Sequence, residues 1–164
     1  MKRIARRSVG TVLMANGVAV AGLTSIGGIE ETTETIDVTT LDSDGGSREF
    51  IAGFSSPGEV SLEGFLLVDE TGLEAGQAVM KQLKDSGDRG SFDIVFPKKV
   101  AAWRFQGIIT TFGTSFALED AISFTSQITV SGKPELVFGA AATGLSSAAA
   151  AAVETDKKSK GDKS

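Results

Sequence analysis

Apolar residues that recur at every second position constrain this chain more than any other feature. In "GEVSLEGFLLVDE" (58–70), Val60, Leu62, Leu66 and Val68 share one face, with Ser61 and Glu63 on the other. The alternation returns in "SFDIVF" (91–96) through Phe92, Ile94 and Phe96, and in "AISFTSQITVSG" (121–132) through Ile122, Phe124, Ile128 and Val130. Side chains of period two can be buried only against one face of a sheet, and a slip of one residue would turn each set to solvent. Between the last two segments, "AAWRFQGIITTFGTSFALED" (101–120) is apolar on both faces and reads as a strand covered on two sides. A helix is expected in one place only, "TGLEAGQAVMKQLKDSG". There Thr71 and Glu74 have capping-box spacing, Leu73, Gly76, Met80 and Leu83 form a stripe, and Gly87 can end the helix after Lys81 and Lys84. Several antiparallel strands with one helix predict a mainly β (α+β) fold, a β-sandwich or barrel with one flanking α-helix.

The N-terminus admits two readings. "MKRIARRSVGTVLMANGVAVAGLTS" has a basic start, an apolar stretch and Ala-Val-Ala ending at Ala21, which imitates a secretory signal. Gly10, Thr11 and Asn16-Gly17 interrupt the apolar stretch, and Asn-Gly is the preferred pair of a two-residue type I′ hairpin turn. The hairpin reading, with "GTVLMA" and "VAVAGL" as its strands, is preferred. No uninterrupted apolar run reaches membrane-spanning length.

Chemistry is narrowly bounded. With no Cys and no His, the chain lacks the residues of zinc sites, disulfides, thiol nucleophiles and Ser-His-Asp triads. Glu30, Glu31, Glu34 and Asp37 form the densest acidic cluster, yet one Trp and no Tyr give a sugar no aromatic platform, and no catalytic centre or cofactor is expected. In "TTLDSDGGSREFIAGF" (39–54), Asp42, Asp44 and Gly46 begin like a calcium loop, but Gly46 and Gly53 stand where an EF-hand needs its fifth and twelfth ligands. The stretch reads instead as a long polar connection between "IDVTTL" and "FIAGF". Trp103, among apolar neighbours, is expected to anchor the core.

Charge is segregated. Eight of the 16 basic residues but only three of the 21 acidic ones lie in positions 1–7 and 154–164, which leaves residues 8–153 with eight cations against 18 anions. Such a body repels a nucleic-acid backbone. Composition therefore divides the chain into a basic arm (1–7), a β domain (8–138) and an Ala-, Ser- and Lys-rich tail (139–164) that is short of large apolar side chains.

Taken in order, the hairpin, "GLTSIGGIEE", "IDVTTLD", the charged loop with Arg48 and Glu49, "IAGFSSPGEVSLEGF", the helix, "SFDIVFP", "FQGIITTF" and "ITVSGKPE" make residues 8–138 resemble the major tail tube proteins of long, non-contractile-tailed bacteriophages. The resemblance implies hexameric rings that stack into a tube conducting the DNA genome, in a virion tail assembled in the host cytoplasm. It implies tape-measure, tail terminator and tail-tip proteins as partners, no cofactor, and DNA passing non-specifically through the lumen. On this reading residues 42–50 are an arm between rings, with Asp42, Asp44, Arg48 and Glu49 as contact residues, and Glu30, Glu31 and Glu34 face the lumen. The alternatives are a tube component of a related injection or secretion system, and a secreted β-sandwich binding module, which requires the signal reading of residues 1–21.

Overall fold

A computed structural model describes residues 5, 7–118 and 120–139. Most of the basic arm and all of the tail beyond Gly139 therefore lie outside the described residues. Among the described residues, eleven strands and one α-helix follow in the order β1 (Val12–Ala15), β2 (Val18–Val20), β3 (Leu23–Ile26), β4 (Thr32–Asp37), β5 (Phe50–Ser56), β6 (Glu59–Phe65), β7 (Val68–Asp69), β8 (Gly72–Leu73), α1 (Ala75–Ser86), β9 (Gly90–Val95), β10 (Ala101–Ser115) and β11 (Ser123–Phe138).

Seven strands make one antiparallel sheet in the order β2-β1-β9-β10-β11-β6-β3. β9 pairs with the first half of β10, whereas β6 pairs with the first half of β11, so the two wings of the sheet are staggered along the long central hairpin. Its edge strands, β2 and β3, are joined by Ala21 and Gly22 alone, so the curled sheet nearly meets itself. The Asn16-Gly17 turn has both residues at positive φ (49° and 81°), as its type I′ reading requires. The apolar part of the stretch that imitates a secretory signal, residues 12–20, thus forms two strands of the sheet, with Leu13, Ala15 and Val20 in the core.

Helix α1 lies where the sheet edges approach. Gly76 sits so close to β2 that a Cβ there would stand 2.3 Å from the Ala19 carbonyl oxygen. Met80 and Leu83 enter the core with Leu13, Val60, Leu62, Phe92, Phe105, Phe124 and Ile128, and Phe92 stacks on Phe105 at a centroid distance of 5.6 Å. The stripe and the Gly87 stop are as the sequence predicts, with Gly87 at φ 70° donating to the Leu83 carbonyl. The start differs: Thr71 does not cap the helix, because its amide and hydroxyl are engaged by Asp69 Oδ1 in a preceding turn. Glu74 itself is the N-cap, its carboxylate accepting from Gln77 N at 3.1 Å, and Leu73 belongs to β8 rather than to the stripe.

Three further expectations need correction. The alternation from Val60 stops at Phe65, where the chain turns, and Val68 is exposed. β10 is covered on both faces only at Ala101 and Ala102, after which it alternates, leaving Arg104, Gln106 and Ile108 outward. Trp103 packs on the core but is only half-buried.

Candidate assembly surfaces

β4 and β5 form a hairpin of their own, outside the seven-stranded sheet. It leaves the body through residues 27–31 and 57–58, at the β6 end that carries Glu59. Gly27 N donates to Ser61 O (2.6 Å) and Val130 N to Gly58 O (3.1 Å) at this root. Every residue of β4 and all but Gly53 of β5 are exposed. Its side chains are nonetheless apolar on both faces: Ile36 opposes Ile51 on one, Phe50 and Ala52 lie on the other, and Phe54 follows in a bulge between Ala52 and Ser55. Phe54 is 86% exposed and Leu41, in the connection, is fully so.

The connection 38–49 carries the expected contact residues. Val38 N donates to Glu49 O (2.9 Å) and Glu49 N to Thr39 Oγ1 (3.0 Å), which ties the base of the loop. The Arg48 guanidinium stands 4.0 Å from the Asp37 carboxylate on β4, an exposed pair worth little in isolation. Asp37 is held below the usual carboxylate range by the Thr39 hydroxyl and amide, which hydrogen-bond its charged form. Asp42 lies exposed in the turn that follows Leu41, and Asp44 opens a short 3₁₀ turn at 44–46. Glu30 and Glu31 stand exposed at the root and Glu34 exposed on β4; Glu31 lines a surface hollow with Thr33, Ser55 and Lys133, which neither Glu30 nor Glu34 lines. Among the described residues, no group of three or more potential metal-ligating side chains comes together.

The polar face that the sequence places at Ser61 and Glu63 extends across two strands, which the sequence reading did not foresee. Outward positions of β6 and β11 present Glu59, Ser61 and Glu63 beside Thr129, Gln127 and Thr125 in register. Glu59 accepts from Gln127 Nε2 (2.7 Å) and Thr129 Oγ1 (3.3 Å). The backbone of Glu30 lies against Gly58, so this face continues into the acids at the arm's root. The signal was the Glu59-x-x-x-Glu63 spacing, which in a strand puts both carboxylates on one face. On β9 and β10, Asp93 and Arg104 pair at 3.3 Å, and burial raises the Asp93 pKa against the opposing pull of the Arg104 charge.

The far end of β6 is different in character. Phe65 lies beside Ser123, and Leu66 N donates to Ile122 O (2.8 Å), so residues 65–68 share one end of the sheet with residues 116–118 and 120–122. Phe65, Val68, Phe116, Leu118 and Ile122 are all exposed there, Phe116 by 74% and Leu118 by 95%. A groove of about 570 Å³ opens elsewhere, between residues 8–11 and 23–29 over Ile94, Phe96 and Trp103. Its lining contains no titratable side chain, so it offers neither acid nor base.

No curated protein sequence matches the chain. Among solved structures, a chain of the virion of the native gene transfer agent (GTA) particle is similar at a TM-score of 0.65 and 21% identity, over 81% of this chain and 99% of that one. A chain from the tail of the empty GTA particle, determined with helical refinement in C6 symmetry, matches at 0.64 and 24%, over 83% and 100%. The SPP1 tail tube is similar at 0.56 and 14%, over 79% and 76%. These likenesses establish the fold, an antiparallel curled sheet with one helix. The family model for the lambda phage tail tube protein matches residues 12–137, which span the sheet, the arm and the helix. By that match the chain belongs to the lambda phage tail tube protein family, whose members are structural proteins of the phage tail rather than enzymes.

Proposed function

We propose that the protein forms rings whose β4–β5 arms engage the next ring, building the tube through which the phage genome passes. The observation that carries this reading is the arm: a hairpin with apolar side chains on both faces and almost no burial in its own chain. A two-stranded hairpin is marginal alone in water, and exposed apolar side chains mark surfaces made for a partner. Here the partner is another copy. Six subunits per ring is the number that the resemblance implies, and the related GTA tail was refined with C6 symmetry.

Asp42, Asp44, Arg48 and Glu49 serve the contact between rings at the arm's tip. Glu30, Glu31 and Glu34, together with Glu59 and Glu63, give the lumen its acidic, hydroxyl-rich lining. Such a wall offers DNA few cations against which to exchange its counterions, so the polymer slides without adhering. The tape-measure, tail terminator and tail-tip proteins are the remaining partners, and assembly takes place in the host cytoplasm. The basic arm 1–7, the β domain 8–138 and the tail 139–164 are its functional divisions.

Electron microscopy of the concentrated full chain tests the proposal, with Phe54→Asp as the control. Rings or hollow tubes from the wild type and dispersed subunits from the variant are the expected result. Tubes of normal length from Phe54→Asp would remove the arm from the stacking mechanism.

A further inference from the structure

The arm needs a surface to receive it, and a second exposed apolar set lies at the opposite end of β6 from the arm's root. The arm leaves at the Glu59 end of β6, while Phe65, Val68, Phe116, Leu118 and Ile122 gather at the Phe65 end. We infer that this second set is the socket in which the arm of the next copy is seated, so that rings join head to tail. The inference rests on the arm reading above and adds the surface that it meets.

The area available favours a second copy as the occupant. Five large apolar side chains on the arm (Ile36, Leu41, Phe50, Ile51 and Phe54) face five at the socket. Taking on the order of 200 Å² for a fully exposed large side chain, burying both sets removes on the order of 1,000 Å², the area that a specific protein contact requires. The sequence has no cation between Arg7 and Lys81 except Arg48, and none between Arg104 and Lys133. The socket end is accordingly acidic, with Asp69, Glu70 and Asp120, and Arg48 is the one arm charge that it attracts. Asp42, Asp44 and Glu49 oppose that attraction, so apolar burial carries the contact and Arg48 orients it. A contact between unlike ends of one subunit is heterologous, and repetition along an axis gives an open-ended stack.

The absence of native cysteine allows a direct test on the full chain. Leu41→Cys is combined with Leu118→Cys in one variant and with Glu135→Cys, on the far half of β11, in another, and assembled tubes are oxidised. Covalent ladders from the Leu41/Leu118 pair and none from the Leu41/Glu135 pair are expected. Ladders only from the latter, or from neither, would overturn the socket while leaving the arm in place. The second arm of the test is Phe116→Asp with Leu118→Asp. Both side chains are exposed, so the melting temperature should be unchanged while tube growth falls by about tenfold or more, the effect of losing roughly 1.4 kcal/mol of contact. Normal growth of that variant overturns the socket. Normal growth of Phe54→Asp instead overturns the arm reading on which the socket rests.

Discussion

Gln77 holds the Phe65 carbonyl: its Nε2 donates to Phe65 O at 2.9 Å from a side chain with no exposed surface. The same nitrogen donates to Ala21 O at 3.0 Å, and Oε1 accepts from Leu67 N at 3.0 Å. One amide thus ties the β2–β3 link, the end of β6 and the helix together at the place where the curled sheet has no strand ladder to close it. Replacing it with Leu fills similar space but strands two carbonyls and one N–H. Gln77→Leu should therefore lose about 2–4 kcal/mol of stability, read as a lower urea midpoint at unchanged slope.

Gly76→Ala sets two effects against each other. Alanine improves helix propensity by about 1 kcal/mol, but its Cβ would lie 2.3 Å from Ala19 O and 2.6 Å from Val20 Cα, both backbone atoms that cannot step aside. The clash wins, with a net loss of about 1–3 kcal/mol. A melting curve that rises for this variant would show that the helix does not press on β2.

Arg104→Met should destabilise in a pH-dependent way. The Asp93 pKa is raised by burial above 3.8, and the Arg104 charge limits that rise. For a raised acid, the folded state binds the proton more tightly, so stability is fullest below 3.8 and falls as pH increases through the folded value. Without Arg104 the folded value climbs further and the fall is deeper. Denaturation at about pH 7 should show a larger deficit for the variant than denaturation below 3.8; equal deficits would mean that Arg104 acts by packing alone.

Arg48→Glu reverses the one cation of the arm and faces only the exposed Asp37 within its own chain. Its circular dichroism and melting temperature should match the wild type, while tube growth measured by light scattering should fall severalfold. Unaltered growth would exclude Arg48 from the contact between rings.

Much of this architecture was legible in the residues. Period two located β6, β9 and β11, and Asn16-Gly17 located the first turn, because these patterns report local constraints on which faces are buried and where φ is positive. The helix start was misread because Thr71 has two possible partners, and Asp69, two residues before it, outcompetes a role as helix cap. The inward-facing Gln77 could not be foreseen either, since its three partners lie as far away as Ala21. For the assembly surfaces, sequence located the long loop but read it as polar. The apolar residues on either side of it, Ile36, Phe50, Ile51 and Phe54, look like ordinary core positions until the structure shows the hairpin standing alone. Phe116 and Leu118 were absorbed for the same reason into the reading of β10.

The hairpin root crosses from the body in only two lengths of chain. Gly27 is wedged against Ser61, whereas nothing lies within 4 Å of where a Gly28 Cβ would be. In mechanical terms Gly27 is a clamped point of the root and Gly28 an uncrowded one. If the arm joins neighbouring rings as proposed, a change of angle between body and arm meets least steric resistance at Gly28.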